Sequence, residues 1–391
     1  MTRASDRWEM DISPAEAAEE KAHHASVTGA DTDPLAAAAP EFQESGVNPF
    51  GVFLSERTTA KGLDSSTVAL YKTTFADWID HMDGMDRHPA CPTTQHVTSF
   101  IDRLLDEGGY AENSRPNSPA TVRSKLTKLT TWFRWMQASA EYKHHTTEFN
   151  PFVLGRQRRE ARLESDDRRE FPRLDVSDIR EVLQDVTHVR SRAIVMLMLK
   201  CGLRAGEIRN MEMADLNLSH TDIRNHYTEI GTRPQVSGRE NALYIPHGDE
   251  RDGNKGERPR ILPLDRETRD ALRAYLLIRP DASAPQVFLT VHGNQLAHSA
   301  INRETWYEAF SEYREGSSSR QISSHYGRHF FSNYWDTKLS EEGFPIKYVQ
   351  YMRGDKISAS EFESQSIDAY LRAFYEDIEG VYRDHIFTFG V

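Results

Sequence analysis

From about Asn48 onward the apolar positions of this chain recur at intervals of three and four, the spacing that gathers them on one face of an α-helix. Phe53-Leu54 opens one such stretch. Val68, Tyr71, Phe75, Trp78 and Ile79 mark a second, with Ser65-Ser66 placed to cap it. Val97, Phe100, Ile101, Leu104 and Leu105 line a third, and Ala120 to Met136, entered through Pro119, forms a fourth. Residues 47–150 therefore read as a bundle of about four helices. Further along, Asp175 to Val186 and Ser191 to Lys200 carry helix signals. Ala242 to Pro246 and Arg260 to Leu264 alternate like short strands around a polar, glycine-containing loop, which implies a β-hairpin. Helical spacing returns from Asp265 to Leu277 and persists to near the C-terminus. The expected fold is mainly α with a small antiparallel β-sheet, and no internal repeat is visible.

Composition adds a tail and a linker to this plan. Residues 1–46 hold ten acidic side chains against three basic ones and almost no aromatics, so they read as a disordered acidic tail. Asn150-Pro151-Phe152 and the charged run from Arg156 to Arg173 suggest an interdomain linker at 151–171, leaving 172–391 as a second domain. The longest apolar run, Ala193 to Leu199, is far too short to span a membrane. Cys91 and Cys201 stand far apart, which argues against a disulfide framework or a cysteine zinc site and for a reducing, cytoplasmic setting.

The formal charge of −12 argues at first against a nucleic-acid partner. Much of it sits in the tail, however, and binding depends on where the cations lie. The fourth helix bears Arg123, Lys125, Lys128 and Arg134 with no acid between Ala120 and Met136. Such a stripe is either a solvated face or a surface for DNA phosphates; in an acidic protein the second reading is preferred. Basic residues are mostly arginine and lysine is scarce, a balance that in an acidic protein suggests a high-salt organism.

Four constellations in the second domain carry chemistry. Gly202-Leu203-Arg204-Ala205-Gly206-Glu207 follows an apolar helix and would aim Arg204 into a cleft, with Glu207 three residues on to orient it. Lys255 sits in Lys255-Gly256-Glu257-Arg258-Pro259-Arg260-Ile261-Leu262-Pro263-Leu264, at the tip of the expected hairpin. His325 and Arg328 are three apart, on one face of a helix. Near the end, Leu371, Tyr375, Ile378 and Tyr382 form a packing stripe, which leaves Tyr370 at its rim, free to point elsewhere.

The order Arg, Lys, His-x-x-Arg, Tyr resembles the tyrosine recombinase or phage integrase family, including its Xer-like members. Residues 202–207 look like that family's GLRxGE box, 255–264 like its lysine hairpin, His325 and Arg328 like its HxxR box, and Tyr370 like its nucleophile. The resemblance implies a core-binding domain at 47–150 and a catalytic domain at 172–391. It implies a site-specific recombinase that cuts and rejoins double-stranded DNA through a 3′-phosphotyrosine, as a homotetramer on paired sites. On this reading Arg204 and Arg328 clamp the phosphate, Lys255 protonates the leaving oxygen, His325 or the arginine-rich field activates the tyrosine, and Tyr370 attacks. No metal, ATP or other cofactor is expected. One departure is Asp355, in Tyr351-Met352-Arg353-Gly354-Asp355, where the family usually has histidine or tryptophan; Asp355 is counted among the catalytic candidates. The interval from Asp355 to Tyr370 is also longer than usual. The alternatives are a catalytically inactive DNA-binding regulator on the same fold and a type IB topoisomerase-like enzyme. The apolar segment Ile386 to Val391 either folds back on its own domain or, as the resemblance suggests, docks onto a neighbouring subunit.

Overall fold

The computed structural model divides into two compact units, Met1–Arg168 and Arg169–Val391. It describes residues 33–391 apart from positions 34, 37, 47, 62, 64, 86 and 140 and the segments 112–113, 143–148, 165–172, 315–321 and 356–366. Most of the expected acidic tail, residues 1–32, lies outside the described residues.

The first unit is helical: α1 (Ala38–Ser45), α2 (Pro49–Lys61), α3 (Ser65–Met82), α4 (Thr94–Asp106), α5 (Pro119–Ala138), α6 (Pro151–Arg158) and α7 (Glu160–Leu163). Local chemistry sets several starts. The Thr93 hydroxyl accepts from the His96 amide to open α4, and the Ser118 hydroxyl accepts from the Thr121 amide to open α5. Pro119 takes the first position of α5, where a missing N–H costs nothing. Aromatic side chains fill the core: Phe50 stacks on Trp132 with centroids 4.2 Å apart, and Trp78 meets Phe100 edge-on at 5.1 Å.

Two expectations about this unit change. Leu35, Ala38, Ala39 and Phe42 are buried in the core, so residues 38–45 belong to the fold rather than to a disordered tail. Three buried residues on one face of a two-turn helix are enough to dock it, whatever the average acidity of the surrounding segment. Residues 151–163, expected as linker, form α6 and α7, and their Phe152 and Leu163 also lie in the core. The mixed charges that suggested a linker are used for pairing across helices, with Arg159 and Arg162 both on Asp102 of α4.

The second unit contains α8 (Val176–Asp185), α9 (Val189–Lys200), α10 (Ala205–Asn210), β1 (Leu216–Asn217), α11 (Thr221–His226), β2 (Ala242–Ile245), β3 (Arg260–Pro263), α12 (Arg266–Leu276), α13 (His325–Glu342), α14 (Lys347–Arg353) and α15 (Ile367–His385). A π-helical segment, Ala300–Trp306, precedes α13. The strands form one antiparallel sheet in the order β1-β2-β3, with Leu243 opposite both Leu216 and Leu262 and Ile245 opposite Arg260. The β2–β3 hairpin matches expectation; β1 is two residues long and too short to leave a period in the sequence.

Helix α9 is the centre of the unit. Every residue from Ala193 to Lys200 is buried, because α10, α12, α13 and the π-helical segment pack around it. A helix apolar on all sides has to be enclosed on all sides. Lys200 is tolerated there because Asp265 and Glu267 pair with it and the rings of Phe387 and Phe389 face its ammonium at 5.5 and 5.4 Å. Residues 386–391 therefore fold back onto their own unit, with Phe387 and Phe389 buried. No described helix is long and apolar enough to cross a membrane.

Candidate active site

The site begins where α9 stops. Gly202 has φ of +60°, a left-handed conformation that glycine adopts without strain. A Cβ here would also lie 2.7 Å from the Phe331 ring. The turn directs the Gly202 carbonyl at Arg328, whose Nη1 donates to it at 3.1 Å. It then starts α10, with Arg204 at the N-cap and its backbone amide donating to Glu207 at 2.9 Å.

Glu207 holds the arginines in place, though its main partner is one that the motif reading did not single out. Arg260 on β3 is fully buried and binds Glu207 through two parallel hydrogen bonds, Nη1 to Oε1 at 3.0 Å and Nη2 to Oε2 at 2.9 Å. Arg204 Nη1 reaches Oε1 at 3.4 Å. Burial pushes the Glu207 carboxyl up, but Arg260, then Arg204 and Arg328, outweigh it and hold the group down at about 2. It is thus a permanent anion at the base of the site. The available signal for Arg260 was an arginine leading into Ile261-Leu262-Pro263-Leu264: a charge at the head of a buried strand must find a buried acid.

Arg328 lies on the first turn of α13 and is almost wholly enclosed, with 2% of its side chain exposed. Besides Gly202, its Nη2 donates to the Arg353 carbonyl at 2.5 Å and to Asp355 at 2.8 Å. Burial, then Arg260 and Arg204, pulls its guanidinium down to about 9, which still leaves it charged at neutral pH. Arg204 is more open, and its Nη2 lies 3.8 Å from the same Asp355 oxygen. One oxygen position is therefore within reach of both arginines. Four guanidiniums (Arg204, Arg260, Arg328, Arg353) face two carboxylates (Glu207, Asp355), so the cluster is cationic inside an acidic protein.

Helix α14 and strand β3 are locked together at this point. The Tyr351 hydroxyl accepts from the Ile261 amide at 3.0 Å and donates to the Ile261 carbonyl at 3.2 Å. The Tyr351 ring stacks flat on Phe374 of α15, 4.9 Å between centroids, fixing the helix that carries Tyr370 one turn away. Tyr370 lies in the first turn of α15, and its side chain is outside the described residues. The other two tyrosines of that helix are buried as their periodicity implied. Burial and Glu379 raise Tyr375 well above the ordinary 10, and Tyr382 is fixed by donating to the Lys200 carbonyl at 2.8 Å.

His325, at the start of α13, is exposed. Its pKa is lowered from the ordinary 6.5 by partial burial first, then by His329, Arg328, Arg204 and Arg353, so it is neutral and able to accept a proton at pH 7. Lys255 is exposed on the β2–β3 loop, as expected, but the backbone beside it is not loose. Asn254 is buried and donates to the Pro246 carbonyl at 2.9 Å, and the Glu257 amide donates to the Gly354 carbonyl at 2.9 Å. Burial first, then Arg209 and the Lys255 ammonium, lowers the pKa of His298.

In the first unit the cationic helix α5 is partly spoken for. Lys125 is paired with Asp77 and only 15% exposed, and Arg123 donates to the Leu163 carbonyl. Lys128 donates to the Ser124 hydroxyl at 2.9 Å on its own helix, and Arg134 is exposed. Lys125 thus has a structural role that the bare stripe of cations concealed: its counter-acid lies on another helix, far off in sequence. Among the described residues no group of three His, Cys, Asp or Glu could hold a metal ion.

In the second unit a buried arginine, Arg328, and a more open one, Arg204, thus face the same carboxylate oxygen. Residues 172–358 match the Phage integrase family, and similarity to tyrosine recombinases extends beyond them over most of the chain. The chain is 23% identical over 331 residues to tyrosine recombinase XerC of Chlorobaculum tepidum, covering 78% of this chain and 85% of that protein. Tyrosine recombinase XerD of Listeria innocua is 23% identical over 317 residues, covering 77% and 88%. The fold is similar to that of the Tn1549 transposon integrase in complex with transposon right-end DNA (TM-score 0.54, 16% identity, 85% of this chain and 100% of that one). It is also similar to a lambda integrase tetramer bound to a Holliday junction (TM-score 0.52, 16% identity, 81% and 79%).

Proposed function

We propose that this protein is a site-specific DNA recombinase that cleaves and rejoins strands through a 3′-phosphotyrosine at Tyr370. The observation that carries the reading is the single oxygen position reached by Arg204 and Arg328 from separate helices, 3.8 and 2.8 Å away. Attack on a phosphodiester builds charge on the non-bridging oxygens, and fixed guanidiniums stabilise it without reorganising. Tyr370 attacks phosphorus, and the bond from phosphorus to the 5′-oxygen breaks as the phosphotyrosyl bond forms. His325 takes the phenolic proton, because a tyrosine near pKa 10 is otherwise a weak nucleophile at neutral pH. Lys255 supplies a proton to the departing 5′-oxygen. Rejoining is the reverse, with a 5′-hydroxyl attacking the phosphotyrosine, so no external energy source is needed. The helical unit grips the DNA backbone, with Lys128 and Arg134 as the better-placed cations of α5, and the active assembly is a homotetramer on two sites.

The test is incubation with a pool of nicked duplexes of randomised sequence, which trap the covalent intermediate by losing the attacking strand. The proposal expects an SDS-resistant protein–DNA adduct enriched for particular sequences. No adduct would identify an inactive regulator, and an adduct without sequence preference a topoisomerase-like enzyme.

A further inference from the structure

The Asp355 carboxylate stands in the position just assigned to a phosphate oxygen. Its Oδ1 lies 2.8 Å from Arg328 Nη2 and 3.8 Å from Arg204 Nη2, and its Oδ2 lies 2.9 Å from Arg353 Nε. One carboxylate thus faces three guanidiniums, the arrangement by which arginines bind an oxyanion. Glu207 is committed to Arg260 and to the Arg204 amide, so Asp355 is the anion that completes the outer part of the cluster. It is also the accessible anion: 30% of its side chain is exposed against 1% for Glu207. Asp355 and Arg204, 30% and 24% exposed, are the parts of the cluster open to solvent, from which an incoming phosphodiester has to arrive.

The backbone beneath it is pinned. Gly354 closes α14 with φ of +65°, and a Cβ there would lie 2.6 Å from Arg260 Nη1, so the chain is pressed against the buried ion pair. The Gly354 carbonyl accepts from the Glu257 amide at 2.9 Å, and the Asp355 amide donates to the Gln350 carbonyl at 3.0 Å. The side chain is what can turn. Arg353, with 36% of its side chain exposed, already faces the other carboxylate oxygen at 2.9 Å and can keep hold of it when Oδ1 leaves the clamp.

We infer that Asp355 is a built-in competitor for the anion site: its carboxylate occupies the Arg204–Arg328 clamp in the DNA-free protein and rotates out, toward Arg353, when a phosphate docks. Two anions cannot share the position, because like charges in contact repel strongly at the low dielectric of a partly buried site. DNA binding therefore has to displace an internal ligand before cleavage, which holds the resting enzyme in check. The competition for an anion stands on the geometry alone, whereas its effect on cleavage rests on the recombinase reading.

The test uses the full chain, with inorganic phosphate as the probe, titrated calorimetrically at low salt. Asp355→Asn keeps the shape and removes the charge, and Asp355→Ala removes both; thermal melting confirms that each folds. Competition predicts that phosphate binds at least tenfold more tightly to both variants than to the unaltered protein. Adding Arg204→Ala should cancel the gain. Unchanged or weaker phosphate binding would overturn the inference and make Asp355 a residue that merely positions Arg328. On nicked duplexes, Asp355→Asn should form the covalent adduct faster than the unaltered protein, and a slower reaction would also overturn it. Tighter phosphate binding with no adduct from any form would leave the competition standing and remove the recombinase reading.

Discussion

Cations gather in two places in this acidic chain, and the two are built on opposite plans. On α5 of the helical unit they lie along one helix, with Lys125 paired to Asp77 and Arg134 exposed. In the second unit Arg204, Arg260, Arg328 and Arg353 come from four separate places in the sequence and are fixed by Glu207, Asp355 and backbone carbonyls. The first arrangement can follow a flexible polyanion at little desolvation cost. In the second, Arg260 and Arg328 are already out of water and held in fixed positions, as differential stabilisation of a reacting phosphate would require. Buried counter-charges, more than the number of cations, separate the two arrangements.

The sharpest break between the two regions comes from removing one cation in each. Arg328→Ala or Arg204→Ala should lower the rate of DNA cleavage by about 10²-fold or more, the usual cost of losing one preorganised oxyanion donor. Single-turnover adduct formation measures it, and a loss below threefold at either position would contradict the clamp. Arg260→Ala acts one layer deeper. It removes the bidentate partner of a buried carboxylate, leaving Glu207 only the longer contact to Arg204, and should cost about 3–5 kcal/mol of stability, read from denaturant unfolding of the second unit. The same pair sets an acid limit. Glu207 is held at about 2 against an ordinary 4.5, so its contribution is complete above 4.5 and is lost as pH falls toward 2. Glu207→Gln should remove that part of the acid transition.

Smaller effects follow from the exposed groups. Because His325 is depressed below 6.5, its neutral form is present at pH 7, and cleavage should fall only as pH drops below that range. His325→Gln should lower the rate and flatten this acid limb; an unchanged limb would assign it to another group. On α5, Lys128→Ala with Arg134→Ala should weaken binding to all DNA sequences and reduce the salt slope by about 0.9 per lost phosphate contact. Lys125→Ala should instead destabilise the helical unit by about 1–3 kcal/mol, through the Asp77 carboxylate left unpaired. An equal change in salt slope from Lys125→Ala alone would restore it as a phosphate contact.

What was legible in the sequence divides along the same line. The helices that carry Arg204 and Arg328 announce themselves through local signals: an apolar run ending in glycine at 202 and an i, i+3 pair at 325 and 328. Tyr375 and Tyr382 proved buried because a 3.6-residue period speaks directly about which side chains face inward. Pairings between distant positions left no such mark. Asp77 with Lys125, Glu207 with Arg260 and Asp355 with Arg328 are separated by 48, 53 and 27 residues, and nothing local to either partner names the other. Residues 38–45 and 151–163 were misjudged for a related reason: acidic or mixed-charge composition describes an average, whereas docking depends on a few residues such as Phe42, Phe152 and Leu163.

The central claim is that the preorganised arginines serve a covalent step at Tyr370, and mapping the adduct tests it most directly. Protein trapped on nicked duplexes is digested with nuclease and protease, and the modified peptide is identified by mass spectrometry. A nucleotide remnant on Tyr370, absent after Tyr370→Phe while DNA binding persists, is the predicted result. A remnant on Tyr375 or Tyr382, or an adduct that survives Tyr370→Phe, would contradict it.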